Sequence, residues 1–175
     1  QILGQVRGSL RDAQEAGNAG RVLNDLGQTA LRIGKRVHSE TGIDRHGASV
    51  VSVALDLAQD VTGALSDRTA LVVGAGAMSS LSLQTLANRG VSDITVASRT
   101  TASTKRAADL SGATPIGMDE LPGALQKADV IVSATGANGV VITAEDIATA
   151  MSGRPDRALV VVDLALPHDT EPEVG

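Results

Sequence analysis

Through the first third of the chain, apolar residues recur every three or four positions. Ile2, Val6, Leu10 and Ala13 keep that spacing and predict a helix over 2–16. Gly17-Asn-Ala-Gly20 interrupts it. Val22, Leu26, Ala30, Ile33 and Val37 then form one stripe over 21–38. Lys35, Arg36 and His38 fall in the last turn of that helix, where cations complement the negative end of its dipole. Thr41-Gly-Ile-Asp44 and Gly47 predict a loop. Ser49 is expected to cap a third helix running to about 64, with Val50, Val53, Ala54, Leu57, Ala58 and Val61 on its inner side.

After Asp67 the rhythm changes to short apolar runs alternating with helical stretches. Strands are predicted at 69–73, 93–97, 113–116, 130–133 and 158–163, and helices at 77–89, 101–110, 119–127 and 143–152. Gly90 is placed to end one helix. Thr143, followed by Glu145 and Asp146, is placed to start another. Val130-Ile-Val and Leu159-Val-Val-Val162 are apolar enough to predict strands buried on both faces. The alternation implies an α/β fold, a doubly wound parallel sheet preceded by an N-terminal helical segment. The composition shifts near 65–68, and the sheet unit is expected to include the third helix, dividing the chain into 1–48 and 49–175.

The chain has 175 residues, a formal net charge of −5 and a mean hydropathy of +0.09. No apolar run approaches the ~20 residues that span a bilayer. The opening Gln1-Ile-Leu-Gly-Gln-Val-Arg7 lacks the basic-then-apolar order of a signal peptide. A cytoplasmic protein without membrane contact is expected. No initiator Met is present, so the chain is expected to be cut from a longer one. It contains no Cys, which removes disulfides, thiolate metal sites and a Cys nucleophile from this segment. It contains no Phe, Tyr or Trp, so the core is aliphatic and aromatic stacking on bases is unavailable. Charge is uneven. Residues 1–48 carry seven Lys/Arg and five Asp/Glu, whereas residues 49–175 carry eight and fifteen, so the first segment faces a polyanion if any part does. His38, His46 and His168 form no metal-ligand spacing, and no metal is expected.

Leu71-Val-Val-Gly-Ala-Gly-Ala-Met78 carries the clearest chemistry: a strand, a glycine turn, then a helix. Gly74 allows a tight turn and Gly76 a close backbone approach to a pyrophosphate. Ala75, Ala77 and Met78 complete a turn whose helix N-terminus attracts an anion. Ser79 stands at the third glycine of the full fingerprint. The alternative is a tight βα turn without a ligand. After the second strand comes Ser98-Arg99-Thr100, with Lys105 and Arg106 nearby and no acid to bond a ribose 2′-OH. Arg99 can fork onto a 2′-phosphate, Ser98 and Thr100 can donate hydroxyls, and Lys105 adds charge. NADPH is therefore favoured over NADH. The alternative is a solvated basic turn with a helix cap at Thr100 or Thr101. After the fourth strand, Ser133, Thr135 and the Gly136 amide are candidates to line the nicotinamide ribose, the alternative being an ordinary turn. His168, in Asp163-Leu-Ala-Leu-Pro-His168-Asp169, is expected on the cofactor side of the sheet. No nucleophile elbow supports Ser–His–Asp catalysis.

These residues also follow one family's order. Gln1-Ile-Leu-Gly-Gln-Val-Arg7 resembles the end of the signature of glutamyl-tRNA reductases, and Gly34-Lys-Arg-Val-His-Ser-Glu-Thr41 is similar to that family's loop after its second helix. Ser49-Val-Val-Ser52, Val72-Val-Gly-Ala-Gly-Ala-Met78, Ser98-Arg-Thr100, Ala128-Asp-Val-Ile-Val-Ser-Ala-Thr-Gly136 and Asp163-Leu-Ala-Leu-Pro167 follow in sequence. The resemblance covers essentially the whole chain. It implies an oxidoreductase that reduces glutamyl-tRNA with NADPH to glutamate-1-semialdehyde, on the route to 5-aminolevulinate and tetrapyrroles. A Cys thiolate, which this chain lacks, forms a thioester that hydride reduces. The family is a homodimer built on a long helix. The chain corresponds to the tail of the catalytic domain plus the Rossmann-like NADPH domain, and no turnover is expected from it alone. Gln1 and Gln5 match signature positions near the substrate site and carry over only as residues behind it. His168 stands where the family pattern has Arg. Two rivals remain: a shikimate-dehydrogenase-like NADP oxidoreductase, whose Lys/Asp pair Lys35 and Asp44 match poorly, and a non-catalytic NADP-binding module.

Overall fold

The computed structural model describes residues 2–41, 43–154 and 156–175. The chain divides into two compact units, Gln1–Gly47 and Ala48–Gly175.

In the first unit, α1 (Ile2–Glu15) and α2 (Arg21–Glu40) form a hairpin. Gly17, at φ +70°, ends α1, with its own N–H on the Gln14 carbonyl and the Asn18 N–H on that of Ala13. The two helices meet at glycines. A Cβ at Gly27 would come within 2.8 Å of a Leu10 methyl, and one at Gly34 within 2.1 Å of a Leu3 methyl. Each helical glycine costs about 1 kcal/mol against Ala, and this close seating of leucines offsets it. The predicted stripe of Val22, Leu26, Ile33 and Val37 lies exposed.

α3 runs over Ile43–Thr62 and starts at Ile43 rather than at the predicted Ser49 cap. A lone Gly47 weakens a helix without stopping it. Its buried face within the second unit is Val51, Leu55, Ala58 and Thr62; Val50, Val53, Leu57 and Val61, expected inside, are exposed. The helix carries two apolar stripes, and spacing alone does not say which one meets the sheet.

The sheet contains β1 (Thr69–Val73), β2 (Asp93–Ala97), β3 (Thr114–Ile116), β4 (Val130–Ser133) and β5 (Val160–Asp163), all parallel, in the order β3-β2-β1-β4-β5. Between them run α4 (Ala77–Asn88), α5 (Thr101–Ser111), α6 (Leu121–Lys127) and α7 (Ala144–Ser152). This is a doubly wound, Rossmann-type α/β fold. Alternate residues of β1 face opposite layers. Ala70 and Val72 join Leu55, Leu83 and Leu86 on one side, and Leu71 and Val73 join Leu121, Leu125 and Ile142 on the other. β4 is buried throughout. β5, predicted buried on both faces, is only half-buried, because it has a single neighbour at the sheet edge.

The helix ends follow their sequence signals. Gly90, at φ +84°, closes α4 with its N–H on the Ala87 carbonyl while the Val91 N–H reaches Leu86. Thr143 and Asp146 cap α7 reciprocally: the Asp146 N–H donates to the Thr143 hydroxyl at 3.1 Å, and the Thr143 N–H donates to the Asp146 carboxylate at 3.0 Å.

At the N-terminal ends of the strands, buried Asp129 holds together Arg154, Arg157 and the Thr69 N–H. Burial pushes its carboxyl up, but the bonds from Arg157 and Thr69 and the charges of both arginines outweigh this and hold it below the usual range. No described helix is long and apolar enough to cross a membrane.

Candidate functional site

In parallel sheets of this kind, ligands sit beyond the C-terminal strand ends where the strand order reverses. Here that place lies between β1 and β4. Gly74 leaves β1 at φ +114° and donates its N–H to the Ala97 carbonyl at 2.7 Å. A Cβ there would stand 2.5 Å from the Ala134 oxygen and 2.8 Å from Ser79 Oγ. Both the conformation and the close approach therefore require glycine. Ser79, at the third fingerprint position, is fully buried and donates its hydroxyl to the same Ala134 carbonyl at 3.2 Å. It ties the first turn of α4 to the turn after β4.

Gly76 is different. It occupies the N-cap position of α4 with φ −85°, and a Cβ there would meet nothing within 4 Å. The protein's own packing does not demand glycine at this point. No side chain caps α4 and no acid stands in its first turn, so its positive end faces open space.

That space is a cavity of about 550 Å³. Of the predicted residues, Gly74, Ala75, Gly76, Ser98, Arg99, Thr100 and Thr135 line it, together with Ser103, Met118, Ala137 and Gly139 to Val141; no carboxylate does. Ala77, Met78, Lys105, Ser133 and Gly136 are not on its wall. Met78 packs on the core, and Lys105 is exposed on α5. Gln5 lies on α1, along a separate apolar groove in the first unit. Gln1 lies outside the described residues.

The basic turn is internally braced. Ser98 Oγ and Thr104 Oγ1 share a hydrogen bond of 2.5 Å, and both reach the Thr100 carbonyl, at 3.3 and 3.0 Å. Ser98 and Thr104 thus hold the loop. Thr100 takes the N-cap position of α5 without a side-chain capping bond. Arg99 is exposed on the wall and pairs with no carboxylate among the described residues.

Opposite, the turn after β4 is held by Asp169, which is fully buried. Its carboxylate accepts from Ser133 Oγ at 2.7 Å, the Thr135 N–H at 2.8 Å and Thr135 Oγ1 at 2.5 Å. The Thr135 hydroxyl also accepts from the Ala137 N–H at 3.0 Å. Ser133, expected beside a ribose, is therefore buried and engaged behind the wall. Thr135 reaches the wall with its hydroxyl already bonded. Asp163 supports Asp169 in turn, accepting the Asp169 N–H at 2.9 Å and the Thr170 N–H and hydroxyl at 3.0 and 2.7 Å. Burial raises the Asp163 carboxyl, but these bonds and the Ala165 N–H bring it below the usual range.

His168 is mostly exposed, with Nδ1 3.6 Å from Asp163 Oδ2. It borders a different cavity, of about 970 Å³, along the β5 edge with Ile147, Met151, Val160 and Pro167. Sequence reasoning missed Ser103, Met118, Ala137, Gly139 to Val141 and Asp169. Ser103 was findable, since it falls in the first turn of a helix predicted from 101. The others carry no spacing cue.

Residues 56–175 match the family model described as Shikimate / quinate 5-dehydrogenase, and residues 1–41 match that described as Glutamyl-tRNAGlu reductase, N-terminal domain. The glutamyl-tRNA reductase of Corynebacterium urealyticum is 49% identical over 98% of this chain, which covers 37% of that protein. That of Kineococcus radiotolerans is 49% identical over 100% of this chain, which covers 39% of it. The solved glutamyl-tRNA reductase from Methanopyrus kandleri aligns with 99% of this chain and 44% of its own, at a TM-score of 0.68 and 36% identity. The chain spans less than half the length of these relatives.

Proposed function

The chain belongs to the glutamyl-tRNA reductase family, and from that premise we propose that it is the NADPH-binding part of such an enzyme. Residues 1–48 are the tail of its catalytic domain and 49–175 its cofactor domain. The observation that carries this is the wall of the 550 Å³ cavity, where a glycine turn and an uncapped helix N-terminus share the wall with Arg99, which pairs with no carboxylate among the described residues, and no carboxylate lines the cavity.

The donor set suits a dinucleotide with a 2′-phosphate. Gly76 leaves room for a pyrophosphate against the backbone, where the α4 N-terminus receives negative charge. Arg99, Thr100 and Ser103 stand where the adenosine ribose would lie, and the guanidinium can fork onto a phosphate. Thr135 and Ala137 bound the nicotinamide side. When bound, the cofactor supplies hydride; the protein's part is to bind, orient and exclude water. The chain has no Cys, so the thiol that attacks glutamyl-tRNA lies outside it and the chain alone does not turn over. The full-length enzyme would be a cytoplasmic homodimer that takes glutamyl-tRNA and NADPH to glutamate-1-semialdehyde in tetrapyrrole synthesis.

The family-model match over 56–175 favours one second reading, a shikimate-dehydrogenase-like oxidoreductase. Against it, the first unit holds no strand among its described residues; the side chain of Asp44, the partner named for Lys35, lies outside the described residues. Mixing the chain with shikimate and NADP, and separately with glutamyl-tRNA and NADPH, separates these. No turnover with either substrate, with NADPH bound, supports the proposal. Reduction of glutamyl-tRNA or oxidation of shikimate with NADP contradicts it.

A further inference from the structure

Between the turn after β4 and α7, the chain runs along the cofactor cavity in a short span held at both ends. At one end the Ala137 N–H donates to the Thr135 hydroxyl at 3.0 Å. At the other the Val141 N–H donates to the Asp169 carbonyl at 2.7 Å. Ala137, Gly139, Val140 and Val141 all line the cavity. Asn138, Gly139 and Val140, between the anchors, are exposed. Among the described residues neither the Asn138 amide nor the Gly139 N–H has a hydrogen-bond partner. Gly139 has no side chain to shield its nitrogen, and even a Cβ there would meet nothing within 4 Å. Of the four asparagines, Asn18, Asn24, Asn88 and Asn138, only Asn138 precedes a glycine. The Asn24 side chain is bonded to Gln14 and Ala19, and the N–H that follows Asn88 is bonded within the end of α4.

We infer that Asn138 is a self-modification site, and that its conversion to a carboxylate lowers dinucleotide affinity as the chain ages. The second half rests on the reading of the cavity as a dinucleotide site. The Gly139 nitrogen attacks the side-chain amide carbon of Asn138. A C–N bond forms, and ammonia leaves with the proton that the nitrogen loses. Water then opens the cyclic imide at either carbonyl, giving aspartate or isoaspartate. Only water is consumed, and no oxidant or reductant is needed. Either product is ionised at neutral pH and adds one negative charge beside a cavity that no carboxylate lines. That charge opposes the phosphates of a bound dinucleotide. Isoaspartate acts further, because the main chain then runs through the former side chain and gains a methylene. With Ala137 and Val141 both anchored, the added length falls on the wall between them.

The test ages the 175-residue chain in warm, mildly alkaline buffer, folded and in urea. Peptide mapping by mass spectrometry follows the exchange of amide for acid at each asparagine, and calorimetry follows NADPH affinity. In the folded chain Asn138 should convert within tenfold of its rate in urea, while Asn18, Asn24 and Asn88 stay intact. NADPH affinity should fall at least tenfold in the converted fraction. Asn138→Gln, which keeps a neutral amide but cyclises far more slowly, should start with the affinity of the fresh chain and hold it through ageing. Asn138→Asp should start weaker. Circular dichroism checks that fresh, aged and variant chains are equally folded. An Asn138 that stays intact in the folded chain while it converts in urea overturns the inference. So does a converted chain that binds NADPH as tightly as the fresh one, or an equal loss of affinity in aged Asn138→Gln. A fresh chain that binds no NADPH fails the cofactor reading and with it the effect on affinity, while the peptide map separately decides the modification.

Discussion

Asp169 holds Thr135 twice, accepting both its N–H and its hydroxyl, at 2.8 and 2.5 Å. One buried carboxylate from the segment after β5 thereby fixes the turn after β4, which forms one wall of the cofactor cavity. Asp169→Ala would leave the Thr135 N–H and the hydroxyls of Ser133 and Thr135 without their acceptor. Each orphaned buried group costs about 1–3 kcal/mol. We expect a lower Tm and at least a tenfold weaker dinucleotide affinity, with Asp169→Asn milder in both. Calorimetric unfolding and NADPH titration measure the pair.

The two glycines of the turn should behave oppositely. Gly74→Ala places a Cβ against the Ala134 oxygen at a left-handed φ. The backbone strain alone is worth roughly 1–3 kcal/mol, so the variant should unfold at distinctly lower urea. Gly76→Ala meets no protein atom and loses only about 1 kcal/mol as a poorer N-cap. Its dinucleotide affinity should nevertheless fall at least tenfold. A stable Gly76→Ala that binds normally would mean that the phosphates lie elsewhere.

Asp129 and Asp163 both have carboxyls held below their ordinary range. A depressed folded-state value means that the ionised form stabilises the fold at any pH above the ordinary Asp value of about 3.9. That contribution is lost as pH falls from there through the depressed values. Urea unfolding should show a flat stability from neutral pH to about 5 and a steep loss below about 4, and Asp163→Asn should flatten part of that loss.

Replacing Asp129 by Ala leaves Arg154 and Arg157 side by side without their carboxylate, and Arg154 is itself buried. Breaking such a buried network costs about 3–5 kcal/mol. The variant should be close to unfolded at room temperature, although Asp129 lies at the strand ends away from the cavity. Circular dichroism melts check this.

Where apolar periodicity and turn chemistry act locally, the sequence was legible. The strands at 69–73, 93–97 and 130–133, the left-handed Gly90 and the Thr143–Asp146 cap lie where their residues place them. Two readings failed for tertiary reasons. The Val50–Val53–Leu57–Val61 stripe is as apolar as the Val51–Leu55–Ala58 face, and only contact with the sheet decides between them. β5 has the composition of an interior strand, and its edge position is set by topology. The glycine turn and Arg99 were legible because their signal is contiguous. Asp169 was not, since its partners Ser133 and Thr135 lie far away in sequence and only parallel pairing of β4 with β5 brings them together.

The proposed preference for a 2′-phosphorylated dinucleotide rests on Arg99 in the cavity wall. Calorimetric titration of the chain with NADPH and with NADH, repeated on Arg99→Ala, tests it most directly. NADPH should bind at least tenfold more tightly than NADH, with the difference erased by Arg99→Ala and NADH binding left nearly unchanged. Equal affinities for the two nucleotides in the parent chain, or a preference that survives Arg99→Ala, would contradict it. A folded chain that binds neither would contradict it as well.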